Sequence, residues 1–236
     1  MNMKKISFKY VVLLGSAITI LAGSCKKDEP TPEPPVVVTD QSFTQSFDDL
    51  AAAQAQGWKF INLSDEAGDP LTIVTETPNG VTPFDGAGLL YSDYTASGGF
   101  TGIISNWAIS PRLLVQNGDK FSFYAVSHGS IGYGASGSFG DRLQLRLNVF
   151  NGSDSIGSSS TDVGNFTTPL LDINPLYKTV GPGDFPTVWT KFEATVKGLN
   201  KPDSARFALR YFVELNGGSN GDEIAIDKVE FKTAGF

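Results

Sequence analysis

The stretch RLQLRLNVF, residues 142–150, decides the fold class. Leu143, Leu145, Leu147 and Val149 fall on one face, and Gln144, Arg146 and Asn148 on the other. Strict alternation is the signature of a strand with one buried face. The same period extends outward from it. Lys191–Lys197 turns Phe192, Ala194 and Val196 inward. Ala205–Leu215 puts Phe207, Leu209, Tyr211, Val213 and Leu215 on one side, and Phe121, Phe123 and Ala125 mark a further strand. Weaker alternation predicts strands at Phe43–Phe47, Trp58–Asn62, Leu71–Thr75, Leu89–Tyr94, Gly102–Ile109 and Glu223–Lys232. About ten half-buried strands separated by Gly, Pro and Asn turns predict two packed antiparallel sheets. One short helix is expected at Leu50–Gln56, capped by Asp48 or Asp49 and ended by Gly57.

Composition agrees with an all-β chain and excludes several chemistries. Of 236 residues, 40% are hydrophobic and 17 are Phe, enough for a core; 26 Gly supply turns. A single Cys excludes a disulfide framework, and a single His argues against a His-based metal site or catalytic triad. No G-x-S-x-G, H-E-x-x-H or Walker A motif occurs. No internal repeat or second composition zone appears, so residues 42–236 read as one domain.

The N-terminus reads as an address. Lys4, Lys5 and Lys9 precede an uncharged, mostly apolar run from Val11 to Gly23. That run is too short to span a bilayer, which takes about 20 apolar residues. Leu21-Ala22-Gly23-Ser24-Cys25 follows and resembles the lipobox of bacterial lipoproteins, where the Cys is lipidated after cleavage. Ala22 departs from the usual Leu at that place. Residues 1–24 are thus expected to be a signal peptide and Cys25 the lipidation site. Cleavage would leave 15 basic against 25 acidic residues, a net charge of −10, which makes nucleic acid and anionic lipid headgroups poor partners. Membrane attachment would come through acyl chains. Residues 25–41 form the linker, in which Pro30, Pro32, Pro34 and Pro35 favour extended polyproline II. The charged start Lys26-Lys27-Asp28-Glu29 resembles export signals of Bacteroidetes surface lipoproteins. Outer-membrane anchoring, at the cell surface or otherwise facing the periplasm, is the expected localisation.

Within the domain, several segments together resemble the choice-of-anchor J family, related to cleaved adhesin domains of secreted Bacteroidetes proteases. They are Phe47-Asp48-Asp49 with Gly57-Trp58, Asn106-Trp107-Ala108-Ile109-Ser110-Pro111, Asp119–Ala125, Asp141–Leu147, Val163–Thr168 with Ile173-Asn174-Pro175, Trp189-Thr190 and Ile226–Phe231. They occur in the family's order over nearly the whole domain. The resemblance implies a jelly-roll β-sandwich of the galactose-binding-like kind, used as an extracellular adhesion or carbohydrate-binding module. Some relatives hold structural calcium.

Candidate site residues follow. Asp227 shares parity with Ala225, Val229 and Phe231, and a carboxylate on an apolar face is costly unless paired or metal-bound. Calcium favours such oxygen ligands. The resemblance places a calcium between the first and last strands, bringing Asp227 towards Asp48 or Asp49. The alternative is a bulge at Asp227–Lys228 that turns the side chain to solvent. Asp65-Glu66 is a second, weaker ligand source. Tyr133 and Phe139, in the glycine-rich stretch Ser127–Gly140, are candidates for stacking on a sugar. Trp58, Trp107 and Trp189 lie in apolar runs and read as core. His128 has no nucleophile motif beside it. The loops 127–140 and 151–186 are the expected contact regions.

The expected function is therefore a non-catalytic binding or adhesion module for carbohydrate or a protein partner. Two alternatives are a β-sandwich glycan-degrading enzyme, which needs two carboxylates flanking one cleft, and a structural component of a surface assembly.

Overall fold

The computed structural model describes residues 36–98, 102–128, 139–214 and 221–236. The chain divides into two units, Met1–Pro35 and Val36–Phe236, and every described element belongs to the second. In chain order these are β1 (Phe43–Gln45), α1 (Leu50–Ala55), β2 (Lys59–Asn62), β3 (Thr72–Val74), β4 (Leu89–Asp93), β5 (Ile104–Ile109) and β6 (Leu113–Val115). There follow β7 (Lys120–Val126), β8 (Leu143–Asn148), β9 (Thr168–Ile173), β10 (Thr190–Thr195), β11 (Asp203–Val213) and β12 (Glu223–Lys232). The strands make two six-stranded sheets, every pair antiparallel. The first runs β10-β7-β12-β4-β3 with β1 also on β12; the second runs β2-β5-β11-β8-β9 with β6 also on β11. This is the jelly-roll β-sandwich expected. No helix among the described residues is long and apolar enough to cross a membrane.

The core is the meeting of the two inner faces, and it comes from the alternating positions. Phe121, Phe123 and Ala125 of β7 face Leu143, Leu145 and Leu147 of β8 and Phe207, Leu209 and Tyr211 of β11, all buried. Aromatic rings bridge the sheets: Phe121 stacks on Phe207 at 4.6 Å, and Phe207 meets Phe231 at 5.6 Å. Such offset pairs add roughly 0.5–1.5 kcal/mol to what burial alone provides. Phe192 of β10 stacks on Phe123 at 5.6 Å, as its inward parity predicts.

Two strands went unread in the sequence. The segment 168–173 was expected to be loop, yet it is β9, the edge of the second sheet beyond β8, with a register shift between Leu145 and Arg146. Pro169 sits on that edge strand, where its missing N–H costs no ladder bond inside the sheet. β6 is only three residues long, too short for a period to register.

The bulge expected as the alternative at Asp227–Lys228 is present, and it decides how β12 contributes to the core. The register against β7 shifts between Asp227 and Glu230, and Lys228 takes a left-handed φ of 46°. Ile224 and Ile226 face the core before it; Val229 and Phe231 face the core after it. The extra residue reverses the parity. Ala225 and Asp227 therefore lie on the outer face of the first sheet, while Val229 and Phe231 do not.

Candidate functional site

The bulge does not turn Asp227 to solvent; its carboxylate is fully buried beneath the loop that follows β3. Oδ2 accepts hydrogen bonds from the backbone N–H groups of Phe84 and Asp85, both at 2.8 Å, and Oδ1 accepts one from Lys228 at 2.6 Å. Burial pushes its pKa up to about 6, against those three amides, which favour the ionised form. Asp48 grips the same loop from its other end. Its Oδ1 accepts from the N–H groups of Ala87 at 2.5 Å and Gly88 at 3.0 Å. Asp49 serves α1 instead: its side chain accepts from the N–H of Ala52 at 2.7 Å, a helix N-cap.

Each aspartate expected near a calcium ion, Asp227 with Asp48 or Asp49, thus has a partner of its own within the protein. Asp48 and Asp227 are engaged by N–H hydrogens, the positive ends of dipoles, and Asp49 by the helix. Among the described residues no group of three His, Cys, Asp or Glu side chains is placed to hold a metal ion. Lys228 Nζ lies 3.8 Å from Asp85 of the same loop. Asp65 also works within the protein, accepting from Ser160 at 2.6 Å and from the N–H of Ile103 at 3.1 Å.

The loop so gripped carries an aromatic shelf. Phe84 is 40% exposed and stacks on Tyr124, ring centroids 3.8 Å apart and planes 17° from parallel. Tyr124 points outward from β7 because it alternates with buried Phe123 and Ala125, and it pairs in register with Asp227. Trp189 meets Phe84 edge to face at 6.0 Å and donates from Nε1 to the carbonyl of Thr82 at 3.1 Å. Polar groups rim the rings: Lys228 Nζ lies 5.8 Å from the Phe84 ring, Lys191 pairs with Glu230 at 3.3 Å, and Ser46 donates to Asp85 at 2.8 Å. Val188, 72% exposed, extends the apolar edge. Beneath the shelf Leu89, Val126 and Ala225 form a small outer core with Val74, Val81, Tyr91 and Trp189 against them.

The shelf corrects one reading of the tryptophans. Trp58 and Trp107 are buried as expected, but Trp189 is a half-buried surface residue beside Phe84. Of the residues proposed to stack on a sugar, Tyr133 lies outside the described residues. Phe139 is half-buried, and its carbonyl accepts from the N–H of Gly221 at 3.1 Å. Phe84 and Tyr124 were missed altogether. The only local sign was Phe84 within Thr82-Pro83-Phe84-Asp85-Gly86, an aromatic placed in a turn segment.

Carboxylates also gather at one end of the sandwich. Glu223 pairs in register with Asp93 and is buried, taking a hydrogen bond from Thr77 at 3.0 Å. Asp141 is buried and accepts from Ser127 and Tyr211, both at 2.7 Å, and from the N–H of Asp222 at 3.0 Å; burial pushes it up to about 6. Asp141 is held by donors on both oxygens, whereas Oε2 of Glu223 is buried without a hydrogen-bond partner among the described residues.

No family model matches the chain, and no curated protein does. Solved structures do. The K1 cleaved adhesin domain of Lys-gingipain from Porphyromonas gingivalis is similar with a TM-score of 0.51 at 22% identity, over 82% of this chain and 99% of that domain. The K3 cleaved adhesin domain of the same protein has a TM-score of 0.49 at 16% identity, over 84% and 100%. A xylan-binding domain from Paenibacillus barcinonensis has a TM-score of 0.40 at 12% identity, over 84% and 97%. What the chain shares with the first of these is the fold, a sandwich of two antiparallel sheets.

Proposed function

We propose that this chain is a non-catalytic binding module that takes a carbohydrate on the shelf formed by Phe84, Tyr124 and Trp189. The observation that carries the reading is the exposed face of Phe84, backed by a parallel ring and fixed from below by Asp227. A sugar's axial C–H face stacks on such a ring, and the polar rim of Asp85, Lys191, Lys228 and Glu230 offers donors and acceptors to its hydroxyls. A ring already held in place loses little entropy on binding. The adhesin-like sandwich supports the same reading as a scaffold. We further read the chain as a choice-of-anchor J-type domain, lipidated at Cys25 and displayed at the outer membrane on its Pro-rich linker.

A glycan array probed with the wild-type protein and with Phe84→Ala tests this, with EDTA present and absent. The wild type is expected to bind neutral oligosaccharides, and Phe84→Ala to lose about tenfold or more, since one stacked ring contributes roughly 1–2 kcal/mol. The aspartates' bonding to amides predicts that EDTA changes neither binding nor Tm. Equal binding by Phe84→Ala would remove the shelf as the site. For the anchor, radiolabelled palmitate is expected to enter the wild type and not Cys25→Ala; label persisting in the variant would refute the lipidation site.

A further inference from the structure

The outer face of the second sheet carries a row of guanidinium groups. Arg146 projects from β8 and Arg206 and Arg210 from β11, at positions alternating with core Leu145, Leu147, Phe207 and Leu209; Arg142 immediately precedes β8. Only Arg142 is well paired. It binds Asp172 through two hydrogen bonds of 2.8 and 2.7 Å and reaches Glu214 at 3.0 Å.

Arg146 and Arg210 differ. They are 8% and 1% exposed, and neither forms a direct ion pair among the described residues; Asp172 and Glu214 act on them only from beyond contact distance. Buried charges are ordinarily paired, because a lone ion is costly to desolvate. Here the partners are neutral. Arg210 donates from Nε to Ser105 at 3.0 Å and from Nη2 to the carbonyl of Ser160 at 2.5 Å. Its guanidinium lies 3.6 Å from the Phe212 ring and 4.8 Å from Trp107. Arg146 donates from Nε to the carbonyl of Phe166 at 2.7 Å. The Nη1 groups of both arginines turn towards one acceptor, Oε1 of Gln144, at 3.2 and 3.5 Å. Nη2 of Arg146 has no acceptor among the described residues. Burial, and then the charges of Arg146 and Arg142, lower the Arg210 pKa to about 9; it stays cationic at neutral pH.

Two cations thus share one neutral oxygen, in a chain with 25 acidic and 18 basic residues. The loop carbonyls of Ser160 and Phe166 occupy an N–H of each guanidinium, which leaves Nη2 of Arg146 as a donor without an acceptor among the described residues. We propose that Arg146, with Arg142 and Arg210 beside it, forms a binding site for the carboxylate or sulfate group of an acidic ligand. A guanidinium presents paired N–H donors that match such an oxyanion, and neighbouring cations strengthen the attraction. The site lies on the sheet opposite the aromatic shelf, so either can fail without the other.

Titration calorimetry of the purified chain with three probes tests it: a trigalacturonide, a neutral galactotriose of equal length, and inorganic sulfate. The trigalacturonide is expected to bind and to weaken with added NaCl, and the galactotriose to show no such salt dependence. Sulfate competing with the trigalacturonide identifies the oxyanion itself as what is recognised; sulfate binding alone would mean a site for a free anion and would overturn the acidic-glycan form. Arg146→Gln is expected to lose about tenfold or more, the weight of one charge-assisted hydrogen bond. Gln144→Glu keeps the fold testable, because it places a carboxylate in direct contact with both arginines, where they now share an amide oxygen. It is expected to raise Tm and to abolish trigalacturonide binding. No binding of either anion to the wild type, or unchanged affinity in Gln144→Glu, would overturn the proposal and leave the arginines as straps for the loop over β8.

Discussion

At the scale of single residues, Asp227 has the largest consequences. Its carboxylate holds three backbone N–H groups, two of them in the loop that carries Phe84. Removing it leaves those donors buried and unpaired, at a cost of about 1–3 kcal/mol each before relaxation. Asp227→Ala is expected to lower unfolding stability in urea by about 2–4 kcal/mol and to weaken carbohydrate binding without touching the sugar. Asp227→Asn keeps an acceptor oxygen and is expected to lose less. If Asp227→Ala unfolded at the wild-type midpoint, the anchoring role would be wrong. Gly86 bears on the same loop: its φ is 70°, and a Cβ there would collide with the Asp48 carboxylate. The sequence flagged Asp227 because its polarity clashed with its parity. It could not say that amides rather than an ion answer the charge, because two of the three, those of Phe84 and Asp85, lie more than 140 residues away.

At the scale of elements, what the sequence revealed depended on length and regularity. β7, β8, β10 and β11 alternate over six or more residues and were legible for that reason. β12 was legible as a strand but not in its faces, since the bulge reverses parity midway and period alone has no term for it. β9 hid behind Pro169 and an irregular register, and it is held by its neighbour β8 more than by any pattern of its own. Helix α1 was readable from its cap. Asp49→Ala is expected to cost about 1 kcal/mol of unfolding stability, measured by urea denaturation, from loss of the bond to Ala52. Asp48→Ala should act instead through the Phe84 loop, so the two neighbours separate: only Asp48→Ala is expected to weaken carbohydrate binding.

At the scale of the whole molecule, two sets of carboxylates oppose each other in acid. Asp141 is pushed up to about 6 by burial, and Asp222, Glu223 and Asp227 are raised by the same cause. The folded state binds protons at these groups more readily than the unfolded chain, so their contribution to stability grows as pH falls from 7 towards 5. Asp65, Asp154 and Glu193 are lowered by hydrogen bonds to Ser160, Lys59 and Lys120, and their contribution is lost only as pH falls below about 4. The urea midpoint is therefore expected to rise between pH 7 and 5, with Asp141 alone giving about 1 kcal/mol, and to fall below pH 4. Asp141→Asn should flatten the rise; a midpoint that declines steadily from pH 7 would contradict the assignment. The sequence by itself determined the all-β class, the inward residues of the long strands and the helix cap, because each depends on neighbours within a few residues. The tertiary structure alone decided the shelf and the arginine row. Phe84, Tyr124 and Trp189 meet across three segments, and Arg146 and Arg210 across two strands. Such meetings are set by sheet order and register, which no local period encodes.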